Sequence, residues 1–378
     1  MRNNEDSLAR EAVEALRGGR PDEARQRLQA AIELGMATGP ACLILAVACR
    51  QLGDGAGEES ALDRLLAIEP RAVRGLIMKG DCRLRAGDDR VAVDYYRTAL
   101  RIGAGPSDSP EVTAELRRAQ AAVTRLEALF AQRMEASLAA KGLSPENRSP
   151  RFQHALDIVA GRKQIYLQEP TVFFFPELPQ IQFYDRADFA WVPAVEAATD
   201  AIRAEILALM AGGMEGFRPY IQSAPNRPRM DDNQLLDNRD WSALFLCENG
   251  TPADAVIARC PRTWEAIQAA PLPRINQSAP TAMFSLLRPG ARINPHTGVQ
   301  NTRLTCHLPL IVPPGCRFRV GNEVREWHEG EMIIFDDTIE HEAWNDSGED
   351  RMVLIFDIWR PELTARERTE VAALFGGR

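Results

Sequence analysis

Four of the five histidines fall between positions 296 and 341, and two of them stand where metal ligands could. His296 lies in Asn294-Pro295-His296-Thr297-Gly298, after a Pro-Gly turn. His341 lies in Asp336-Asp337-Thr338-Ile339-Glu340-His341-Glu342, just past the apolar run Met332-Ile333-Ile334-Phe335. Ten residues further on, Arg351 opens a second apolar run, Met352 to Phe356. Imidazole suits Fe(II) and Zn(II) alike, and a guanidinium fork matches a carboxylate with two parallel hydrogen bonds. The set is what an iron site with an anionic co-substrate needs, although the residue types do not select the metal. A non-haem iron oxygenase usually adds a carboxylate two positions after its first histidine, and here that position is Gly298. Either the carboxylate comes from elsewhere, or the site has two protein ligands and water fills the remainder, leaving room for a bidentate 2-oxoacid and dioxygen. Arg351 would then take the distal carboxylate of the 2-oxoacid. Ser285, on the strand leading to His296, could add a neutral hydrogen bond to the same group.

Histidines this far apart in sequence need a fold that returns them to one place. From Thr281 the pattern turns to short strands, expected at 282–288, 303–312, 316–320, 324–327, 331–335 and 351–359, with turns at Pro289-Gly290, Pro313-Pro314-Gly315, Gly321-Asn322 and Ser347-Gly348. Many short strands with close turn signals predict a double-stranded β-helix, or jelly roll. Upstream, Thr171 to Phe175 is a β-rich run, and Val192 to Met210 predicts one helix with Val195, Ala198, Ile202, Ile206 and Leu209 on a face.

The first hundred residues carry a period of 34. Gly19-Arg20, Gly53-Asp54 and Gly87-Asp88 keep that spacing, as do Ala12, Ala46 and Gly80, and Leu28, Leu62 and Tyr96. Each unit reads as helix, glycine turn, helix, and the pattern resembles the tetratricopeptide repeat. One departure is Glu58, at the place held by Ala24 and Ala92. The segment from Pro110 to about Ala140 has helical periodicity and is expected to cap the array. The predicted organisation is an α-helical tetratricopeptide-like solenoid over 7–140, a Pro/Gly/Ser linker over 141–150, and the jelly-roll domain over 151–378. The repeat would present a concave surface to a protein or peptide, or serve dimerisation or scaffolding; it supplies no catalytic group.

The 378 residues carry a net charge of -8 and a pI near 5.4, which argues against a nucleic-acid partner. The longest apolar stretch, Ala41 to Cys49, is about half a bilayer span, and the polar start, Met1-Arg2-Asn3-Asn4, has no apolar signal core. Seven scattered cysteines without Cys-x-x-Cys spacing predict reduced thiols in a cytoplasmic protein.

Residues 285–362 resemble the aspartyl/asparaginyl β-hydroxylase family of Fe(II)- and 2-oxoglutarate-dependent oxygenases. The matching segments are Ser285-Leu-Leu-Arg-Pro-Gly290, Pro295-His-Thr-Gly298, Asn301-Thr-Arg-Leu-Thr-Cys-His-Leu308, Ile334-Phe-Asp-Asp-Thr-Ile-Glu-His-Glu342, Trp344-Asn-Asp346, and Arg351 through Leu363. Asp240-Trp241-Ser242 is a further one, and the resemblance spans roughly 170–365. It implies that His296 and His341 hold Fe(II) without a carboxylate ligand, and that Ser285, His307 and Arg351 bind 2-oxoglutarate. It also implies that dioxygen and 2-oxoglutarate are co-substrates, with succinate and carbon dioxide released as an unactivated C–H bond is hydroxylated. The expected substrate is the β-carbon of an Asp- or Asn-like residue in a peptide or protein. The alternatives are a small amino acid or natural product, a halogenase using the space at Gly298, or a non-catalytic repeat scaffold. Two departures bear on substrate. Thr305 stands where members acting on protein residues tend to carry a second arginine, and Met283 where a lysine can face substrate. Trp241 and Arg303 remain candidates for substrate contact. Without the resemblance His307 would read as a core residue. His328 reads as a turn residue, Trp344, Trp359 and Cys306 as packing, and Asp336 and Asp337 as either acceptors orienting a ligand or a solvated turn.

Overall fold

The structure, a computed structural model, describes residues 2–103, 109–223 and 234–376. The chain divides into two compact units, Met1–Lys163 and Gln164–Arg378.

In the first unit the 34-residue period becomes helix pairs: Arg2–Arg17 with Pro21–Glu33, Gly39–Gln51 with Gly55–Ile68, and Val73–Arg85 with Asp89–Ile102. The helix Pro110–Ala139 covers the last pair with Val112, Leu116, Ala119, Val123 and Leu126. The turn glycines Gly19, Gly53 and Gly87 have φ of 70, 72 and 79°, which only glycine adopts without strain. Ala12 and Ala46 are fully buried, and a Cβ on Gly80 would stand 2.6 Å from the Tyr96 ring; close helix approach explains the small residues. Glu58, the departure from the repeat, is fully buried and held by Arg50 at 2.7 Å and Arg85 at 2.6 Å. The unit is a tetratricopeptide-like solenoid.

The second unit is built on strands β1 (Phe183–Tyr184), β2 (Arg218–Pro219), β3 (Trp241–Glu248), β4 (Thr251–Pro252), β5 (Ala282–Leu287), β6 (Arg292–His296), β7 (Arg303–Ile311), β8 (Cys316–Val320), β9 (Glu323–Glu326), β10 (Ile333–Phe335), β11 (His341–Asn345) and β12 (Arg351–Trp359). They form two antiparallel sheets, ordered β1-β10-β7-β12-β5-β3-β2 and β6-β11-β8-β9, with β4 on β3. This is the expected jelly roll. Side chains alternate across a strand, and the major sheet uses that alternation fully. Even-numbered residues of β5, β7 and β12, such as Phe284, Leu308 and Phe356, pack into the core shared with helices Thr199–Ala211 and Pro261–Ile267. Odd-numbered ones, such as Ser285, His307 and Arg351, face the space between the sheets.

Three local expectations change. The helix over Val192 to Met210 is two helices, Val192–Glu196 and Thr199–Ala211, and at the junction the Thr199 hydroxyl donates to the Glu196 carbonyl at 2.6 Å. The run Thr171 to Phe175 forms one isolated bridge, Phe173 to Gln300, because its backbone amides bond the 298–301 loop instead of a sheet. The segments β6 and β11 are strands that their composition did not announce.

A buried ion pair fixes the loop ahead of β11. Asp336 and Arg360 are both fully buried and 2.7 Å apart. Asp336 also accepts hydrogen bonds from Gln168 at 2.6 Å and the Thr338 hydroxyl at 2.6 Å, and Arg360 donates to Tyr184 Oη at 2.9 Å and the Asn301 carbonyl at 3.2 Å. Asp336 is thus neither a solvated turn residue nor an acceptor for His341. Removing one partner of a buried pair strands the other charge, at about 3–5 kcal/mol. Arg360→Met should therefore lower the urea unfolding free energy of the full chain by that amount; a change under about 1 kcal/mol would mean that Asp336 is stabilised without Arg360.

Candidate active site

The two histidines expected to bind metal meet across the minor sheet. His341 on β11 pairs in register with His296 on β6, and the ring centroids are 4.1 Å apart. His296 Nδ1 lies 2.8 Å from the Asn294 carbonyl oxygen, and His341 Nδ1 lies 3.1 Å from that of Ile339. A carbonyl oxygen can only accept, so each Nδ1 carries the proton and each Nε2 keeps its lone pair. Backbone carbonyls thus fix the tautomer that leaves Nε2 free to ligate. Burial holds both imidazoles neutral, as ligation requires: the His341 pKa falls to about 3, from loss of solvation and then from His296, and that of His296 falls for the first reason.

Gly298 has an unexpected neighbour. A Cβ built on it would sit 2.3 Å from the Asp337 carboxyl carbon, so the space a side chain would need beside the histidines holds the carboxylate of another segment. Burial, then the charges of Asp336 and Asp357, raises the Asp337 pKa to about 7. Among the described residues no three His, Cys, Asp or Glu side chains form a group that could hold a metal ion.

Arg351, His307 and Ser285 line the same cavity, whose volume is about 470 Å³, ordinary for a small-molecule site. Arg351 is 1% exposed, and among the described residues no carboxylate pairs with it. Its guanidinium lies 4.9 Å over the Trp327 ring, its Nε has no acceptor, and desolvation lowers its pKa to about 10. It remains a cation at neutral pH. His307 is buried among Phe318, Trp327 and Phe335, with an unpartnered Nδ1. Loss of solvation, then the Arg351 charge, holds it neutral. Ser285 is fully buried and its Oγ accepts the Trp241 indole N–H at 3.1 Å, so its own proton is available to an anion. Buried polar groups are normally satisfied; here an unsatisfied cation and imidazole converge on one cavity.

Trp241 stacks on Tyr220 with centroids 4.2 Å apart and stands 6.3 Å from His296. Arg303 also lines the cavity but is already paired, at 2.7 Å, with Asp357. His328 is exposed in a turn, Cys306 is in the core, and Trp344 is half-buried under Arg317. The sequence reading missed Asp357, Tyr220 and Trp327. Asp357 was within reach, since it lies six residues from Arg351 on one strand and so shares its face. Tyr220 and Trp327 lie in segments with no such signal.

Residues 196–361 match the family described as aspartyl/asparaginyl beta-hydroxylase. An ornithine lipid ester-linked acyl 2-hydroxylase from Rhizobium tropici is 33% identical over 231 residues, 60% of this chain and 76% of that protein. Human aspartyl/asparaginyl beta-hydroxylase is 33% identical over 184 residues, 48% of this chain, and the match spans only 23% of its length. Human aspartate beta-hydroxylase domain-containing protein 2 is 31% identical over 214 residues, 55% of each chain. Among solved structures, PcrH from Pseudomonas aeruginosa aligns with a TM-score of 0.30 and 18% identity, over 33% of this chain and 93% of that one.

Proposed function

This chain belongs to the aspartyl/asparaginyl β-hydroxylase family, and from that premise we propose that it is an Fe(II)- and 2-oxoglutarate-dependent hydroxylase of an unactivated C–H bond. The observation that carries the reading is the buried, uncompensated Arg351 facing the cavity that holds the histidine pair. A fold keeps such a cation at considerable expense unless an anion completes it. The donor set fits the cofactor: two neutral imidazoles with Nε2 free suit Fe(II), and Arg351, His307 and Ser285 offer donors to a carboxylate.

His296 and His341 would hold the metal, and Arg351 would bind the distal carboxylate of 2-oxoglutarate with help from Ser285 and His307. When bound, the iron and 2-oxoglutarate supply the oxidation, in which dioxygen gives one atom to succinate, formed with carbon dioxide, and one to the substrate carbon as a hydroxyl. The chain's own part is to fix each imidazole tautomer through a backbone carbonyl, to orient the 2-oxoacid by its far end, and to shield the site with Trp327, Phe318 and Phe335. The Asp337 side chain fills the space beside Gly298 that a halide would need, which supports hydroxylation over halogenation.

The names of the relatives agree on hydroxylation and differ on substrate, one being an aspartyl/asparaginyl enzyme and another an ester-linked acyl enzyme. Trp241 is a candidate for substrate contact near His296. The helical unit would present a peptide or protein partner. No described helix is long and apolar enough to cross a membrane, and seven free, buried cysteines suit a reducing, cytoplasmic setting.

Succinate release from 2-oxoglutarate tests the reading. It should require both Fe(II) and dioxygen and stop on chelation. Succinate formed equally without added iron, in metal-stripped protein, would contradict it.

A further inference from the structure

The register of the major sheet arranges the cavity wall in rows. The deep row holds Arg351, opposite Leu287, with Trp241 on the next strand. The next holds Ser285, between Val353 and Ala243. The third runs Met283, Ile355, His307, so that it is aliphatic on the β5 and β12 side and carries the imidazole on β7. The outer rows hold Thr305 opposite Asp357, and then Arg303. Away from His307, the wall of β5 and β12 therefore runs from anion-binding groups, Arg351 and Ser285, through aliphatic side chains, Met283 and Ile355, to the polar Asp357.

The rim does not offer a free cation. Arg303 and Asp357 are 2.7 Å apart with side chains only 12% and 16% exposed, and Asp357 is further held by the Thr281 amide at 3.1 Å. Glu342, also on the lining, is tied to Arg319. With Arg351 reserved for the co-substrate, the charges of the described lining residues otherwise cancel or are negative. A carboxylate between Met283 and Ile355 would meet two apolar side chains and then face Asp357, with Asp337 beside Thr305 on the same wall.

We propose that the outer half of this cavity takes an uncharged, chiefly aliphatic substrate group and excludes a carboxylate, and that the Arg303–Asp357 pair sets this preference. The proposal rests on the reading of the deep half as the iron and 2-oxoglutarate site, and the test separates the two.

The full chain is first titrated with Mn(II) and then 2-oxoglutarate; failure there removes the co-substrate reading and this proposal with it. The loaded protein is then titrated calorimetrically with the N-acetyl methylamides of leucine and of aspartate, which match in branching and differ in charge. Wild type should bind the leucine probe at least ~10-fold more tightly. Asp357→Asn, which keeps an acceptor for the Thr281 amide and releases Arg303, should shift the ratio toward aspartate by at least ~10-fold. Thr305→Arg, which adds a cation opposite Asp357, should shift it the same way and serves if Asp357→Asn does not fold. Equal or tighter binding of the aspartate probe to wild type, a ratio unmoved in both variants, or no binding of either probe to any of the proteins overturns the proposal.

Discussion

Arg351→Met is expected to lower 2-oxoglutarate affinity by ~100-fold or more while leaving the ligand-free chain as stable as wild type, or more so. The two halves of that result have one cause. Truncating one partner of a buried, hydrogen-bonded charge pair costs about 2–5 kcal/mol, which is roughly 30- to several-thousand-fold in affinity. Among the described residues no carboxylate pairs with Arg351, which is 1% exposed with no acceptor at its Nε, so without ligand no such pair is broken. An apolar side chain of similar volume relieves the desolvation of that cation and loses only its contact over Trp327. Urea unfolding without ligand and a 2-oxoglutarate titration read the two halves separately. Arg351→Lys should recover part of the affinity only, since an ammonium lacks the planar fork. A Met variant that unfolds while the ligand-free wild type is stable would make Arg351 a structural residue.

His341→Ala is expected to reduce Fe(II)-dependent succinate formation to below ~1% of wild type, a larger loss than the 10- to 100-fold typical of groups that merely support a ligand. His341 is one of two imidazoles available to the metal, and among the described residues no third His, Cys, Asp or Glu completes a cluster. His296→Ala should behave alike, because the pair is held in register across β6 and β11. His307→Ala should instead raise the 2-oxoglutarate requirement and leave metal affinity near wild type, since its orphan Nδ1 lies among Phe318, Phe335 and Trp327. Metal titration of the three variants separates ligand from co-substrate residue. Retained turnover in His341→Ala contradicts the metal assignment.

What the sequence could disclose was governed by distance along the chain and by periodicity. The 34-residue repeat was legible because each unit repeats the same close approach, down to the positive-φ glycines at 19, 53 and 87. Strands β5, β7 and β12 were legible because they alternate between a helix-covered core and a polar cavity. The strands that carry the histidines were not. Arg292-Ile-Asn-Pro-His296 and His341-Glu-Ala-Trp-Asn345 lack apolar alternation, and they are strands because β8 and each other hold them. Proline at 295 alone argues against a strand.

The long-range pairs were equally silent. Asp337 against Gly298, Asp336 against Arg360, and Asp357 against Arg303 join segments whose separation carries no local signal. The last of these alters what Arg303 can do. As an isolated arginine in a strand it reads as a substrate cation; paired with Asp357 it is largely neutralised. Glu58 shows the same effect in the helical unit, where a residue that breaks the repeat pattern is buried between two arginines.

The metal and the 2-oxoacid are expected to share one cavity. Anaerobic calorimetric titration of 2-oxoglutarate into the full chain, with and without one equivalent of Fe(II), tests it most directly. The expected result is one 2-oxoglutarate per chain, bound at least ~10-fold more tightly when the metal is present, with the enhancement lost in His296→Ala and His341→Ala. Equal affinity with and without Fe(II), or an enhancement that survives loss of both histidines, would contradict it.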